Sequence, residues 1–144
     1  MSVNEFTDLT LTVSNEQDVV TARAEARAIA QRLGFGIVDQ SRIATAVSEL
    51  TRNVLRYADN GRGEVDIRVA RNVSDRDGIE IVVTDSGPGI ADVDLVLQAG
   101  YSSGRGLGLG LSGTRRLMDE MEIESEVGRG TTITIRKWLR RGTR

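Results

Sequence analysis

The chain has 144 residues, of which 28% are charged and 39% hydrophobic, and its formal net charge at pH 7 is −2. It contains neither cysteine nor histidine, which excludes disulfides, thiolate or imidazole metal ligands, Ser-His triads and self-phosphorylation on histidine. The near-neutral charge gives no general attraction to nucleic acid or anionic membranes, and no apolar stretch approaches the roughly 20 residues of a membrane span. We therefore expect one cytoplasmic domain over residues 1–144.

The first half of the chain predicts one strand followed by two helices. Residues 9–13 alternate apolar and polar side chains, as a half-buried strand does. Ser14 begins a capping-box pattern that opens a first helix, and Gly34 is predicted to end that helix in a left-handed conformation. A second helix is predicted over residues 39–58, with the aspartate at its start as the N-cap.

The second half predicts a hairpin, a helix and a second hairpin. The alternating segments 65–69 and 79–83 are typical of strands joined by a short loop. A helix is predicted over 111–121, followed by strands over 123–127 and 131–138. This order of elements favours an α+β fold, a two-layer α/β sandwich in which a mixed sheet carries the helices on one face.

The second predicted helix carries a polar pair beside its core-facing stripe. At about 100° per residue, Ile43 and Val47 belong to the stripe, whereas Glu49 and Asn53 lie next to each other on its flank. A carboxylate and an amide in this place could meet a ligand between helix and sheet. A solvent-exposed pair at positions i and i+4 accounts for the same pattern, so the pair alone does not assign a function.

A turn-forming segment, Asp85-Ser-Gly87-Pro-Gly89, follows the second strand of the first hairpin. Asp, Ser, Gly and Pro all favour turns, so a strand-ending turn is one interpretation. The other is a ligand site, in which a carboxylate at a strand end lies beside glycines that let a ligand approach the backbone. Such a carboxylate can accept a hydrogen bond from an exocyclic amine and so distinguish adenine from guanine.

Residues 104–110 alternate glycine with larger side chains and lead into the third predicted helix. Backbone N–H groups at glycines and the positive end of a helix both favour phosphate. A flexible linker is the alternative, and the alternating leucines argue against it. Residues 108–113 also satisfy G-x-G-x-x-G, but no predicted strand directly precedes them as a dinucleotide-binding unit requires, and the sequence contains no P-loop motif.

Taken in order, four motifs resemble the N, G1, G2 and G3 boxes of Bergerat-fold ATPases, the family of gyrase, heat-shock chaperones, mismatch-repair proteins and sensor histidine kinases. The matching residues are Glu49-x-x-x-Asn53, Asp85-x-Gly87-x-Gly89, the glycine run over 104–110, and Gly130-Thr131, which alone would be an ordinary hairpin turn.

Further segments are similar to the anti-sigma-factor serine/threonine kinases, and within that family to the switch kinases of stressosome pathways. They are residues 33–43, 48–50, 116–120 and 137–139. No phenylalanine lies between the G1 and G2 boxes, where sensor histidine kinases usually carry one. The resemblance therefore favours the compact serine-kinase branch.

The resemblance implies a role for each matching residue. Asn53 would hold an Mg²⁺ ion that bridges the phosphates of ATP, and Glu49 would orient or deprotonate the attacking hydroxyl. Asp85 would bind the adenine amine with Thr131 nearby through water, and Gly87 and Gly89 would leave room for the base. The lid over the phosphates would comprise Gly104, Gly106, Gly108 and Gly110, and Arg105 within it would either contact the γ-phosphate or face solvent.

The implied function is an Mg²⁺-dependent serine/threonine protein kinase of a partner-switching pathway. It would phosphorylate a STAS-domain antagonist and, once released, activate a phosphatase through its regulatory domain. Two alternatives stay open: direct binding of a sigma factor, and a non-catalytic module in which nucleotide only gates partner affinity. Glu49 favours catalysis, because a pure sensor needs no base. The sequence leaves open whether the chain forms a homodimer.

Overall fold

The computed structural model describes residues 9–58, 60–89 and 111–140. These ranges contain β1 (Leu9–Val13), α1 (Glu16–Leu33), α2 (Ile37–Tyr57), β2 (Gly63–Arg71), β3 (Asp77–Asp85), α3 (Leu111–Leu117), β4 (Glu120–Glu126) and β5 (Gly130–Trp138). None of the helices in this described part combines the length and apolar character needed to span a bilayer.

The five strands form one sheet in the order β1-β2-β3-β5-β4, and every neighbouring pair is antiparallel. The expectation of a mixed sheet is therefore wrong for the described strands. Between β1 and β2 the chain passes through two helices that pack against each other and are joined by a short turn. Because such a pair returns the chain to the end of the sheet where it left, the next strand runs antiparallel.

The helices cover one face of the sheet, which confirms the two-layer α+β prediction. Alternate residues of the three central strands point toward the helices and are buried: Val65, Ile67, Ile79, Ile81, Val83, Ile133 and Ile135. Their main partners are the buried residues of α1 and α2: Val19, Ala22, Ala26, Ile29, Ala30, Ile43, Ala46, Val47, Leu50 and Val54. Each fully buried aliphatic side chain contributes about 1.5–3 kcal/mol, so this interface is the main source of stability.

The other face of the sheet is polar. Edge strand β4 places four exposed glutamates on it: Glu120, Glu122, Glu124 and Glu126. Arg136 of β5 lies beside them, and its Nε donates to Glu80 Oε2 at 2.7 Å while its Nη1 donates to Glu120 Oε1 at 3.2 Å. The hydrogen bond with Glu80 raises the pKa of Arg136. These ion pairs link three neighbouring strands across the open face.

Helix α1 has the predicted ends, with a one-residue change in its cap. Asn15, not Ser14, is the N-cap, and its Oδ1 accepts from the backbone N of Asp18 at 2.9 Å. Asp18 returns the interaction, since its Oδ2 accepts from the backbone N of Ser14 at 2.9 Å. Gly34 ends the helix at φ 103°, which confirms the left-handed prediction.

Helix α2 begins three residues earlier than predicted, counted from the predicted N-cap, Asp39, to the observed one. Its N-cap is Gly36 and its first residue is Ile37. Asp39 lies within the first turn, where its Oδ1 accepts from Arg42 Nη1 at 2.9 Å. A carboxylate within the first turn is stabilised by the helix dipole. Asp39 therefore does mark the start of this helix, but as a first-turn residue and not as the N-cap.

Helix α3 is shorter than the predicted helix over 111–121, and the strand after it begins at Glu120 rather than residue 123. The alternation of β4 allows Met121 to lie opposite Ile135 on the helix-facing side of the sheet. Buried Lys137 of β5 satisfies the freed end of α3, because its Nζ donates to the carbonyl oxygen of Leu117 at 2.8 Å. Strand pairing therefore prevails over local helix propensity here.

Candidate nucleotide-binding site

Three of the four sequence motifs lie in described residues. They are on the flank of α2, at the end of β3, and at the beginning of β5. The glycine-rich motif does not: Gly104, Arg105, Gly106, Gly108 and Gly110 lie outside the described residues.

Asp85 ends β3 on the side of the sheet that faces the helices, where it lies directly opposite Thr131 of β5. Its Oδ1 accepts a hydrogen bond from the backbone N of Gly87 at 2.8 Å, and this turn restricts the orientation of the carboxylate. Thr131 is 8% exposed. A carboxylate and a hydroxyl are thus held side by side, at the Cβ separation of about 4.5–5.5 Å usual for facing residues.

Gly87 is in close contact with the end of α2. A Cβ added to it would lie 2.8 Å from the Cα of Ala58 and 2.9 Å from the carbonyl oxygen of Tyr57. Real Cβ atoms do not approach backbone this closely, so only glycine fits. The contact holds the loop after β3 against the helix that carries Glu49 and Asn53.

Two more glycines hold the same loop against the β4–β5 turn. A Cβ on Gly89 would collide with the carbonyl oxygen of Glu126, and one on Gly130 with the carbonyl oxygen of Asp85. Both glycines are left-handed, at φ 79° and 103°. The backbone N of Gly128 also donates to the carbonyl oxygen of Pro88 at 2.9 Å. In the described structure the space beside Gly87 and Gly89 is thus filled by neighbouring backbone atoms. This close packing explains why both positions are glycine.

Ser125 is a residue of this site that the sequence analysis did not identify. Its Oγ donates to the carbonyl oxygen of Gly130 at 3.0 Å and lies 2.9 Å from Thr131 Oγ1. It faces Thr131 across the β4–β5 hairpin. Ser125 lies within the predicted strand over 123–127, but only the hairpin register shows that it pairs with Thr131.

On α2, the predicted division into core stripe and polar flank is confirmed. Ile43 and Val47 are fully buried, whereas Glu49 and Asn53 are half-buried, and the Oδ1 atom of Asn53 is shielded from solvent. Tyr57 contacts Gly87. Asn53 lies four residues before Tyr57, and Glu49 lies eight residues before it. At 1.5 Å per residue, these residues lie about 6 Å and about 12 Å along the helix axis from that contact.

A cavity of about 310 Å³ opens at the end of the sheet. It is lined by Asp85, Ser125 and Thr131, by Arg129 of the turn, and by residues that alternate onto the polar face, among them Thr84, Glu124 and Thr132. This volume is at the lower end of the range for small-molecule sites. Over the described ranges, no group of three or more acidic, histidine or cysteine side chains converges as a metal site.

The described residues thus form a small antiparallel sheet covered by helices, with a carboxylate at the end of a central strand and an amide on the facing helix. The model of the histidine kinase-, DNA gyrase B- and HSP90-like ATPase family matches residues 38–141. The chain belongs to this family.

Two relatives show which members of this family the chain resembles in sequence. The chain is 48% identical over 130 residues to the serine/threonine-protein kinase RsbT of Bacillus subtilis, an alignment that covers 89% of this chain and 94% of that protein. It is 32% identical over 145 residues to the anti-sigma F factor of Caldanaerobacter subterraneus, covering 98% of this chain and 99% of that protein.

Two solved structures show the same fold. The RsbU and RsbW domains of a Mycobacterium tuberculosis protein match with a TM-score of 0.62 and 23% identity, covering 90% of this chain and 31% of that one. A chain of the SiaB–SiaC complex of Pseudomonas aeruginosa matches with a TM-score of 0.55 and 14% identity, covering 91% and 89%. At these identities the matches support the fold alone.

Proposed function

We propose that this chain is an ATP-dependent serine/threonine protein kinase of a partner-switching pathway. The observation that carries the proposal is the 48% identity to the kinase RsbT, which extends over nearly all of both chains. The geometry of the described residues supports it, because the loop with Asp85 is held against the helix that bears Glu49 and Asn53.

Asp85 is the adenine-binding residue of this proposal. Its carboxylate is anchored by the backbone N of Gly87 and lies beside the Thr131 hydroxyl. A carboxylate accepts hydrogen bonds only, so it favours the exocyclic amine of adenine over the carbonyl of guanine. Thr131 contributes a second polar atom at the same edge of the base, directly or through water.

Asn53 is the proposed Mg²⁺ ligand. An amide oxygen suits this hard cation, and the Oδ1 of Asn53 is shielded from solvent. Mg²⁺ usually keeps several waters and takes one or two protein ligands together with substrate phosphates. When bound, the ion would neutralise phosphate charge. The proposed lid contributes backbone donors from Gly104, Gly106, Gly108 and Gly110, with Arg105 among them.

Glu49 is the proposed catalytic residue. It lies one helical turn beyond Asn53, on the side away from Tyr57. The loop with Asp85 meets α2 at Tyr57, and Asn53 and then Glu49 follow from that contact along the helix. This order corresponds to adenine, phosphates and attacking hydroxyl in the proposed complex. In this position Glu49 orients the hydroxyl of the protein substrate or accepts its proton, the role that a catalytic base has in phosphoryl transfer.

The proposed substrate is a serine or threonine on a STAS-domain antagonist, and the proposed downstream target is the regulatory domain of a phosphatase. A second candidate target is a sigma factor, favoured by the 32% identity to an anti-sigma F factor over 98% of this chain. Pull-down of the purified chain with a sigma factor and with a phosphatase regulatory domain would distinguish these two targets.

The kinase proposal is tested by incubating the protein with Mg²⁺, γ-labelled ATP and a STAS-domain protein encoded nearby. We expect label on the STAS protein and none when Asn53→Ala replaces the wild-type chain. Ser86→Ala, at an exposed position of the loop after β3, is the control and should label normally. Intact ATP binding without transfer to any STAS or sigma-factor partner would contradict catalysis and favour a nucleotide-gated binding module.

A further inference from the structure

A groove of about 330 Å³ lies at the beginning of α2, away from the proposed nucleotide site. It is lined by residues of the first turns of α2 and by the last residue of α3: Ile37, Val38, Ser41, Arg42, Thr45 and Leu117. Glu49 follows Ile37 by twelve residues, which is about 18 Å along the helix axis. A molecule held in the groove would therefore leave the proposed nucleotide site accessible.

Two aliphatic side chains of the groove are exposed to solvent. Ile37 is 71% exposed and Val38 is 59% exposed. They are neighbours in sequence, and they line the same groove as the partly buried Leu117. Apolar side chains that cluster on a surface and are rimmed by polar residues mark an interaction site, whereas single exposed ones do not.

Arginines surround these aliphatic side chains. Arg42 lines the groove itself. Arg27 of α1 reaches its edge, since Arg27 Nη2 donates to Ser41 Oγ at 3.4 Å. The last turn of α3, which ends in the groove, carries the exposed residues Arg115 and Arg116. The rim of the groove is therefore rich in positive charge.

The carboxylates of this region do not cancel that charge. Asp39 Oδ1 accepts from Arg42 at 2.9 Å, and Asp39 and Asp119 both lie within 4 Å of Lys137 Nζ. Two carboxylates thus stand against one lysine and the four arginines of the rim. The net charge of the whole chain is −2, so this positive region is a local feature and not a general property of the surface.

We propose that the groove is the docking site of a protein partner, and that the segment held there presents aliphatic side chains flanked by aspartate or glutamate. The aliphatic side chains would cover Ile37 and Val38, and the acidic ones would meet the arginines. An apolar centre with a polar rim, and with arginine enriched, is the usual anatomy of a protein interface. A nucleic acid would match the arginines but leave the aliphatic side chains uncovered. The inference rests on the proposed partner switching and adds to it a surface that holds one partner.

The test measures the affinity of the full chain for three purified proteins: the STAS antagonist, the phosphatase regulatory domain and the sigma factor. We expect one of them to bind Ile37→Ser roughly 10-fold more weakly than wild type, the factor lost when an aliphatic side chain has no apolar contact to bury. Arg42→Glu should weaken the same complex and reduce its dependence on salt, because an attraction between opposite charges is removed. Both variants should bind ADP as wild type does, which shows that they are folded.

The β2–β3 hairpin offers matched controls for both substitutions. Val73 is fully exposed there, so Val73→Ser removes the same kind of side chain from another surface. Arg71 pairs with Asp77 at 3.0 Å, as Arg42 pairs with Asp39, so Arg71→Glu makes the same change of charge. Neither control should change the affinity for the partner. If Ile37→Ser does not fold, Val38→Ser replaces it.

The outcomes separate this inference from the function beneath it. A partner that binds wild type, Ile37→Ser and Arg42→Glu equally overturns the docking site and leaves the proposed function intact, and tighter binding by Arg42→Glu overturns the acidic character of the segment. Self-association of wild type in sedimentation that is lost in Ile37→Ser would assign the groove to a second copy. Loss of binding to phosphatidylglycerol vesicles in Ile37→Ser would assign it to a lipid surface, and either result overturns the proposal. A wild-type chain that binds none of the three proteins overturns the proposed partner switching, and this inference with it.

Discussion

Replacing Gly87 by alanine tests the contact that joins the adenine-binding loop to α2. The new methyl group would lie 2.8 Å from the Cα of Ala58, 2.9 Å from the carbonyl oxygen of Tyr57 and 3.0 Å from Asp85 Oδ1. Two of these atoms belong to the backbone of α2, which cannot shift without a large energetic cost, so the loop after β3 must move. Overpacking of this kind costs typically about 2 kcal/mol, which corresponds to a decrease in Tm of about 6 °C at roughly 3 °C per kcal/mol for a chain of this size.

The movement of the loop should also weaken nucleotide binding. Asp85 is oriented by the backbone N of Gly87 at 2.8 Å, so a shift of Gly87 disturbs the carboxylate directly. Loss of a charged hydrogen bond of about 1.5–3 kcal/mol predicts roughly 10- to 100-fold weaker ADP binding. The assays are thermal unfolding without nucleotide and calorimetry with ADP.

Gly36→Ala is the matched control for this prediction. It adds the same methyl group at a glycine of ordinary φ where, among the described residues, no atom lies within 4 Å of the new Cβ. It should leave ADP affinity unchanged and cost at most a fraction of the stability lost in Gly87→Ala. Equal Tm and equal ADP affinity in the two variants would refute the reasoning that close packing on α2 positions Asp85.

Three further predictions concern other residues. Asp85→Asn should weaken ADP binding roughly 10- to 100-fold, because the acceptor for the exocyclic amine loses its charge; unchanged affinity in calorimetry would contradict the adenine assignment. Glu49→Gln should bind Mg·ATP with nearly wild-type affinity and lose phosphoryl transfer, and a normal rate of labelling would remove Glu49 from the mechanism. Lys137→Met should lower the free energy of unfolding by about 1–3 kcal/mol in urea denaturation, because the carbonyl of Leu117 loses its buried donor; an unchanged midpoint would show that water replaces the lysine.

The parts of the fold that depend on burial could be predicted from the sequence. The alternation of residues 9–13 gave the bounds of β1 correctly, and the helical period of α2 placed Val47 in the core and Glu49 on the flank. Both signals arise because one face of the element is buried against the other layer, and burial leaves a period in the residue types. The end of α1 at Gly34 could also be predicted, since a left-handed helix end favours glycine.

The features that depend on pairing between distant segments could not be predicted. The direction of β1 relative to β2 is decided by the helix pair between them, and the end of α3 by the pairing of Met121 with Ile135. Ser125 is in the site only because the hairpin register places it opposite Thr131. The roles given to residues 104–110 and to the other motif residues stay predictions.

The glutamates of β4 have a consequence for association between copies of the chain. An edge strand presents unpaired backbone donors and acceptors that a second strand can extend, which is a common route to aggregation. A second β4 added there would bring a row of glutamates close to Glu120, Glu122, Glu124 and Glu126. Each facing pair of like charges costs about 1 kcal/mol in water at 4 Å, so growth of the sheet from this edge is opposed by several such terms. Near 1 M salt, where the Debye length falls to about 3 Å, this opposition is largely screened, so high ionic strength should favour association of copies through β4.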